Sequence, residues 1–257
     1  MKRMLWLFIM LLGISTVLMA DTLSPSAGTL NATGYSSSLS TYTNALSVNF
    51  NMASAGNALV FSTFSCKTTG NSTTGTWQLS GSSGSSQAVQ RYLSGSNDAG
   101  IASTVHIFTG LSAGTNTINL QQKSVTGKTL TTYDANMVIV PLVTSGGSAL
   151  NYGLGQLTSA TSTSSTSYVA TNLTTSVTVD RDGGGIFFAS SFNSLSGGTA
   201  VTGTWKMQYK DSSSGTWVDV GNVTERYMSG SNDTGAVTLY AMAEGVDSGT
   251  YDVRIVF

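Results

Sequence analysis

A ten-residue segment occurs twice in this chain, and its two copies differ at only two positions. The first copy, RYLSGSNDAG, begins at Arg91, and the second, RYMSGSNDTG, begins at Arg226. The match continues without a gap after both copies at an offset of 135 residues, and the Gly-Thr-Trp triplets at 75–77 and 203–205 match at an offset of 128. A period this long predicts two copies of one folded module, not a solenoid of short repeats.

The change of offset from 128 to 135 has a visible cause between the two matching regions. The second copy reads WKMQYKDSSSGTWVDV from Trp205, whereas the first reads the shorter WQLSGSSGSSQAV from Trp77. An insertion of this kind is tolerated in a hairpin and not in a core. We therefore predict an enlarged hairpin that only the second module has.

Each copy has the pattern of an antiparallel β-sandwich. Apolar or alternating runs of four to eight residues, such as ALSVNF and GIFFASSF, recur between Gly, Ser and Asn turns, and helical periodicity is nearly absent. This spacing predicts an all-β chain of two tandem antiparallel, jelly-roll-like β-sandwich modules. The Ser/Gly/Thr-rich stretch after residue 145 places the modules at 21–145 and 146–257.

The N-terminus has the features of a secretory signal peptide covering residues 1–20. Lys2 and Arg3 precede an apolar run, and Ala20 stands before a plausible cleavage site. The alternative, a membrane anchor, needs about 20 apolar residues, more than this run provides. We expect a secreted protein, extracellular or at the cell surface, with no membrane span in the mature chain.

Charge and cysteine content exclude several classes of protein. Only 9% of the residues are charged, and 11 Lys+Arg against 12 Asp+Glu give a net charge of −1, which does not favour nucleic acid as a partner. Cys66 is the only cysteine, so no disulfide can form within the chain. We predict that Cys66 is a small buried side chain, since a reactive thiol needs a nearby base and the chain has one histidine.

The second module is shorter at its end than the first. The first continues into the apolar run at 135–143, whereas the second stops at Phe257, which aligns with Gln122. A sandwich short of one strand has an unpaired edge, which proteins usually cover. Residues 148–157 of the same chain or residues 21–33 of a neighbouring molecule are the candidate donors, and the second option predicts a filament. In the alternative interpretation, the second module is a complete, smaller sandwich.

The duplicated segment is also a candidate ligand or Ca²⁺ loop. Its oxygen ligands would be Asn97 and Asp98 in the first copy and Asn232 and Asp233 in the second. Calcium needs six to eight oxygens, and one carboxylate per loop is too few without other segments. We therefore favour a structural turn in which Arg91 pairs with Asp98 and Arg226 with Asp233. Gly95 and Gly230 are expected to supply a positive φ in these turns.

The sequence does not predict an enzyme. His106 is the only histidine, and its counterpart in the second copy is Ala241. No catalytic triad can be assembled twice, no group of His and Cys has the spacing of a metal site, and we predict no cofactor. Most carboxylates of the second module fall at predicted turns, where solvated charges are common.

Aromatic side chains provide a second binding hypothesis. Trp77 and Trp205 are equivalent in the two copies and are predicted to be core residues. Trp217 lies in the hairpin that only the second copy has, and with Tyr209 it is the predicted site for a surface glycan.

These observations predict a secreted, non-enzymatic structural or adhesive surface protein whose partner is itself, through strand addition. A pair of extracellular carbohydrate-binding modules is the alternative. The arginine before a Ser/Gly-rich loop, together with a Gly-Thr-Tyr final strand, resembles jelly-roll modules of bacterial and phage surfaces. The resemblance consists of turn chemistry and implies no activity.

Overall fold

The computed structural model of this chain describes residues 24–31, 33–95, 98–143, 147–155, 159–230 and 233–257, without the side chain of Asn172. The signal peptide predicted for residues 1–20 lies outside these ranges. Within them the chain forms strands and no helix, so it has no helix that could cross a membrane. The prediction of an all-β chain is confirmed.

We call the first ten strands the N-terminal group and the last six the C-terminal group. The N-terminal group consists of β1 (Ser26–Thr29), β2 (Tyr35–Ser37), β3 (Thr43–Met52), β4 (Gly56–Thr69), β5 (Asn71–Gly81), β6 (Gly84–Ser85), β7 (Val89–Gly95), β8 (Ala99–Leu111), β9 (Gly114–Lys123) and β10 (Thr129–Pro141). The C-terminal group consists of β11 (Ala170–Val179), β12 (Gly184–Ser194), β13 (Val201–Asp211), β14 (Val218–Met228), β15 (Gly235–Val246) and β16 (Gly249–Val256).

Antiparallel pairing arranges these strands in four sheets. Sheet I has the order β1-β10-β4-β8, with β2 also on β10, and sheet II has the order β3-β9-β5-β6, with β7 also on β5. Sheet III has the order β11-β16-β13-β14, and sheet IV pairs β12 with β15. Sheets I and II form the N-terminal group, and sheets III and IV form the C-terminal group.

The two groups share one topology wherever the sequence is duplicated. Strands β3, β9, β5 and β7 correspond to β11, β16, β13 and β14, and β4 and β8 correspond to β12 and β15. The strands β1, β2 and β10 have no counterpart among the described strands of the C-terminal group. The enlarged hairpin predicted for the second copy joins β13 to β14.

Each group has its own hydrophobic core, formed by the inward side chains of its two sheets. Trp77 is 0% exposed in the N-terminal core and Trp205 is 7% exposed in the C-terminal core, so the prediction that both are core residues is confirmed. Phe64 packs against Trp77 with ring centroids 5.1 Å apart, and Phe192 packs against Trp205 at 5.7 Å. The duplicated sequence therefore preserves a Phe–Trp contact in each group.

The repeated Gly-Thr-Trp triplet has a packing cause. Residues two apart on a strand share a face, so each glycine lies on the same side of its strand as the tryptophan. A Cβ atom on Gly75 would lie 2.2 Å from the Trp77 ring, and one on Gly203 would lie 2.3 Å from the Trp205 ring. The absence of a side chain at each glycine thus leaves space for the indole of the tryptophan two residues later.

The two groups contact each other through hydrogen bonds to the main chain of residues 88–92 and through apolar packing. The Gln90 amide donates to Oδ1 of Asn193 at 2.7 Å, and Nδ2 of Asn193 donates to the Ala88 carbonyl at 3.0 Å. The Tyr92 amide donates to the Thr234 carbonyl at 2.7 Å. In addition, Ala236 of β15 packs against the N-terminal core. The edge of β7 that faces away from β5 is covered in this way.

Candidate functional site

The two copies of the duplicated segment form similar self-contained turns. Oδ2 of Asp98 accepts hydrogen bonds from the Ser94 amide at 2.8 Å and the Ser94 hydroxyl at 3.0 Å. Oδ2 of Asp233 accepts the same pair from Ser229, at 2.9 and 3.0 Å. Asn97 and Asn232, the other candidate ligands, lie outside the described residues.

The predicted arginine–aspartate pairs are present in both turns. Arg91 lies 3.7 Å from Asp98, and Arg226 donates to Asp233. Burial opposes ionisation of Asp233, but hydrogen bonds from Ser229 and the Arg226 charge outweigh it and lower the pKa of this carboxyl. The carboxylates are therefore committed to structural partners, and the described residues contain no group of three His, Cys, Asp or Glu side chains placed to hold a metal.

The glycines of the duplicated segment have a different role from the one predicted. Neither Gly95 nor Gly230 has a positive φ, so that prediction was wrong. The essential glycines are Gly100 and Gly235, because a Cβ atom there would lie 2.1 and 2.5 Å from the guanidinium groups of Arg91 and Arg226. Each arginine lies across its glycine to reach the aspartate, which explains why the segment begins with Arg and ends with Gly.

Cys66 is fully buried and His106 is partly buried. Burial raises the pKa of the Cys66 thiol to about 12, and its sulfur donates to the Gly100 carbonyl. Burial lowers the pKa of His106, whose ring packs edge-on against Phe108 at 4.8 Å. A neutral, buried thiol fits the prediction of a small core side chain.

One side of the β12 backbone has no pairing partner among the described strands. In sheet I the corresponding strand, β4, lies between β8 and β10. In sheet IV, β12 pairs with β15 on one side, and no described strand pairs with its other side. On the inner side of β10, Leu130, Met137 and Ile139 are all fully buried, so the core of the C-terminal group lacks a large apolar contribution at this position. We call this unpaired side the open edge of β12.

Within a single chain, the described residues of the two predicted donor segments lie elsewhere, and pairing of residues 21–33 with a neighbouring molecule stays a prediction. Residues 26–29 pair with β10 of their own chain, with Ser26 opposite Ile139 and Thr29 opposite Asn136. The segment before residue 156 instead follows β11, where Asn151 donates to the Thr178 carbonyl and Gly153 lies close to the Ser176 carbonyl. Placing residues 148–157 in the open slot was therefore wrong for the described residues of that segment.

The sequence of β12 lacks the residues that usually prevent an edge strand from pairing with another chain. Natural edge strands commonly carry lysine, other charges or proline, which block pairing with further chains. Strand β12 reads GGIFFASSFNS, with no charged residue and no proline. The other edge strands of this group are β11, β14 and β15. Strand β14 carries Asp219, Glu225 and Arg226, and β15 carries Glu244. Strand β11 has no charge, but Asn151 and Gly153 lie beside it. Among these edges, the one along β12 is the best suited to accept another strand.

Trp217 and Tyr209 do not form one surface. Tyr209 points into the C-terminal core, against Phe188 at 5.8 Å and Tyr251 at 6.1 Å. Trp217 lies on the outer side of sheet III, with the Arg254 guanidinium carbon 3.9 Å and the Lys210 ammonium 5.3 Å from its ring centroid. Alternation along β13 explains the difference, because Tyr209 shares its face with buried Trp205 and Lys210 has the opposite face.

The outer side of sheet III has polar side chains between two aromatic rings. Gln208 accepts a hydrogen bond from Arg254 at 2.8 Å and donates to Asp219 at 2.6 Å. Lys206 lies 4.2 Å from the ring centroid of Tyr168. We call this surface, formed by Trp217, Tyr168 and the polar residues between them, the Trp217 face. Beside Trp217 is a cleft of about 310 Å³, lined by Thr174, Thr175, Ser176, Lys210, Trp217 and Asp252.

Comparisons with known proteins add no assignment. A scan against models of protein families finds no match, and the curated proteins contain no significant relative of this chain.

Proposed function

We propose that this protein is an exported, non-enzymatic structural or adhesive component of a cell surface or extracellular assembly. In this proposal the chain consists of a signal peptide at 1–20 and two tandem, jelly-roll-like β-sandwich modules at 21–145 and 146–257. Copies of the protein associate by strand addition at the second module. The single observation that carries the proposal is the open edge of β12.

Pairing through this edge has a favourable physical basis. An unpaired strand leaves a row of amide and carbonyl groups available for hydrogen bonds with another chain. Two β12 edges can pair antiparallel about a two-fold axis, because a two-fold contact uses the same surface in both copies. The unpaired amide and carbonyl groups of each edge then form hydrogen bonds with those of the other. We therefore propose a second copy of β12 as the occupant. Residues 26–29 are less suitable, since they already pair with β10.

Several carboxyl groups of the C-terminal group are poorly suited to act as catalytic proton donors. A carboxylic acid that donates a proton in catalysis usually has a raised pKa. Hydrogen bonds instead lower the pKa of several of these groups, with Ser248 acting on Asp182, Ser213 on Asp211 and Lys206 on Asp219. These groups are ionised acceptors that fix turns and strand faces.

An added strand provides the test. Residues 123–143 are copied after Phe257, at the position that they occupy after Gln122 in the first module. We expect the chain from Asp21 to form dimers in light scattering, and the extended chain to be monomeric. Burying counterparts of Leu130, Met137 and Ile139 should also raise the unfolding temperature, since each contributes about 1.5–3 kcal/mol.

The control is the same extension with its residues in scrambled order, which leaves association unchanged. A monomeric parent chain at all concentrations contradicts the proposal. Association that persists in the extended chain shows that the contact lies elsewhere.

A further inference from the structure

We propose that the Trp217 face is a binding site for a neutral oligosaccharide built of pyranose rings. This inference is independent of strand addition at β12, because the two surfaces lie on different sheets. It assigns an adhesive role to the hairpin that the first module lacks.

The indole of Trp217 is held in a fixed position. Arg254 stacks on it with its guanidinium carbon 3.9 Å from the ring centroid, and Arg254 is itself held by Gln208 at 2.8 Å. Lys210 lies 5.3 Å from the same centroid and 3.4 Å from Asp252. An immobilised aromatic surface binds at a lower entropic cost than a mobile one. The hairpin thus presents an ordered aromatic wall to the cleft.

The cleft lining matches the chemistry of a sugar ring. One wall is aromatic, and the others provide the hydroxyls of Thr174 and Ser176, the ammonium of Lys210 and the carboxylate of Asp252, with Thr175 between the two hydroxyls. A pyranose has an apolar C–H face that packs on an aromatic ring, and hydroxyls around its edge that both donate and accept hydrogen bonds. The volume of about 310 Å³ is at the lower end of the range for small-molecule sites.

Other ligand classes fit this lining less well. An apolar ligand would find no aliphatic wall among the lining residues. An anionic ligand would be repelled by Asp252, which accepts hydrogen bonds from Ser176 and Ser212, both at 2.8 Å, and remains charged. Lys210 and Asp252 balance each other, so the cleft favours a neutral ligand with many hydroxyls.

The ligand is expected to extend beyond one ring. Lys206 and Lys210 lie four residues apart on the same face of β13, which is roughly 13 Å along a strand. Trp217 lies at the Lys210 end and Tyr168 at the Lys206 end. Between them are Gln208, Asp219 and Arg254, which supply donors and acceptors. Two aromatic rings with polar groups between them suit several consecutive sugars.

Tryptophan fluorescence provides a direct readout. Trp77 and Trp205 are buried, whereas Trp217 is partly exposed, so a ligand on this face changes the emission of Trp217 alone among these three. The chain from Asp21 is titrated with cellohexaose, chitohexaose, mannohexaose and maltohexaose, with hexagalacturonate as the acidic comparison. We expect at least one neutral hexasaccharide to bind and hexagalacturonate not to bind.

Substitutions locate the site. Trp217→Ala is expected to weaken the neutral ligand at least tenfold in calorimetry, and Trp217→Phe to weaken it less, with an unchanged unfolding temperature in both. Tyr240→Ala is the matched control, since Tyr240 is an aromatic residue of sheet IV that is 74% exposed. The Tyr240→Ala variant should bind the neutral ligand as the parent protein does.

Two results overturn the inference: no binding of any of the four neutral probes, or equal binding by the parent and Trp217→Ala. Because the oligomeric state is measured separately, either result leaves the proposal about β12 unaffected.

Discussion

At the scale of single residues, the arginine of the duplicated segment has more partners in the second copy. Arg226 donates to the Asp233 carboxylate, and Nη1 of Arg226 also donates to the Ser194 carbonyl at 3.4 Å and the Ser194 hydroxyl at 3.3 Å. In the first copy, Nε of Arg91 is buried without a hydrogen-bond partner among the described residues. We infer that Asp233 contributes more to stability than Asp98.

Asp233→Asn tests this contribution through its pH dependence. The pKa of Asp233 is lower in the folded protein than its ordinary value. The stability that it adds is therefore complete above the unfolded pKa, near 4, and is lost as the pH falls through the folded pKa. We expect the variant to lose about 1.5–3 kcal/mol in urea unfolding at pH 7, the usual range for hydrogen bonds to charged groups, and much less near pH 2.

Asp98→Asn is the comparison variant, with a smaller expected loss at pH 7. An equal loss at pH 7 and pH 2 for Asp233→Asn would contradict the electrostatic explanation.

Alternation along a strand determines how far single residues could be predicted. The ion pairs at Asp98 and Asp233 followed from a short loop, and burial of Trp77 and Trp205 followed from their apolar strands. The inward direction of the Tyr209 side chain could also have been predicted, because Tyr209 lies four residues after Trp205 on the same strand. The position of Trp217 could not be predicted, since tertiary contacts with Arg254 and Lys210 place a residue of a long hairpin loop.

At the scale of strands, β10 distinguishes the two groups. Nε1 of Trp77 donates to the Thr132 hydroxyl of β10 at 2.7 Å, and Thr132 donates in turn to Gln122. Phe257 takes the place of Gln122 in the second copy, and Trp205 has no hydrogen-bond partner on an equivalent strand among the described residues. The same tryptophan is therefore tied to a neighbouring strand in one core only.

Paired substitutions measure this difference. Trp77→Phe removes a buried hydrogen bond and should lower the unfolding free energy by about 1–3 kcal/mol more than the change of side-chain size alone. Trp205→Phe removes the indole of the second core, which has no such hydrogen bond to lose among the described residues. It should therefore lower the unfolding free energy by less than Trp77→Phe does. Differential scanning calorimetry of both variants gives the comparison. A larger loss for Trp205→Phe would show that its indole has a partner of equal strength.

Strand prediction succeeded where alternation was strong. Most of the predicted runs lie in β3 to β5, β7 to β9 and β11 to β16. The run GTWVDV from Gly215 is an exception, because only its last three residues are in a strand, and that strand, β14, continues through the next predicted run, VTERYM. The short strands β1, β2 and β6 were not predicted, because Ser-, Gly- and Thr-rich segments carry little alternation and pair only when a neighbouring edge is available. The open side of the second copy was inferred from the alignment alone, and the described strands confirm that β12 pairs only with β15.

At the scale of the whole molecule, the two strand groups are joined by more than their connecting segment. Asn193 contacts both Ala88 and Gln90, Thr234 contacts Tyr92, and the ring of Phe187 meets that of Phe61 at 5.6 Å. Such contacts couple the unfolding of one group to that of the other.

Asn193→Ala tests the coupling. We expect it to remove both hydrogen bonds to β7, to lower the free energy of unfolding by about 1–3 kcal/mol and to separate one calorimetric transition into two. Ser191→Ala, on the same face of β12, is the matched control and should keep a single transition. Two transitions in the parent protein would show that the groups unfold independently despite their contact.

The hydrogen bonds that Asn193 and Thr234 form with Ala88, Gln90 and Tyr92 use only main-chain atoms of these three residues. They therefore do not depend on which side chains occupy positions 88, 90 and 92. Substitutions at these positions can therefore accumulate without weakening these hydrogen bonds, provided that the backbone stays extended and each amide keeps its hydrogen. Proline at 90 or 92 is the exception, since it has no amide hydrogen to donate. The two halves can therefore diverge in sequence on this surface while their relative orientation is retained.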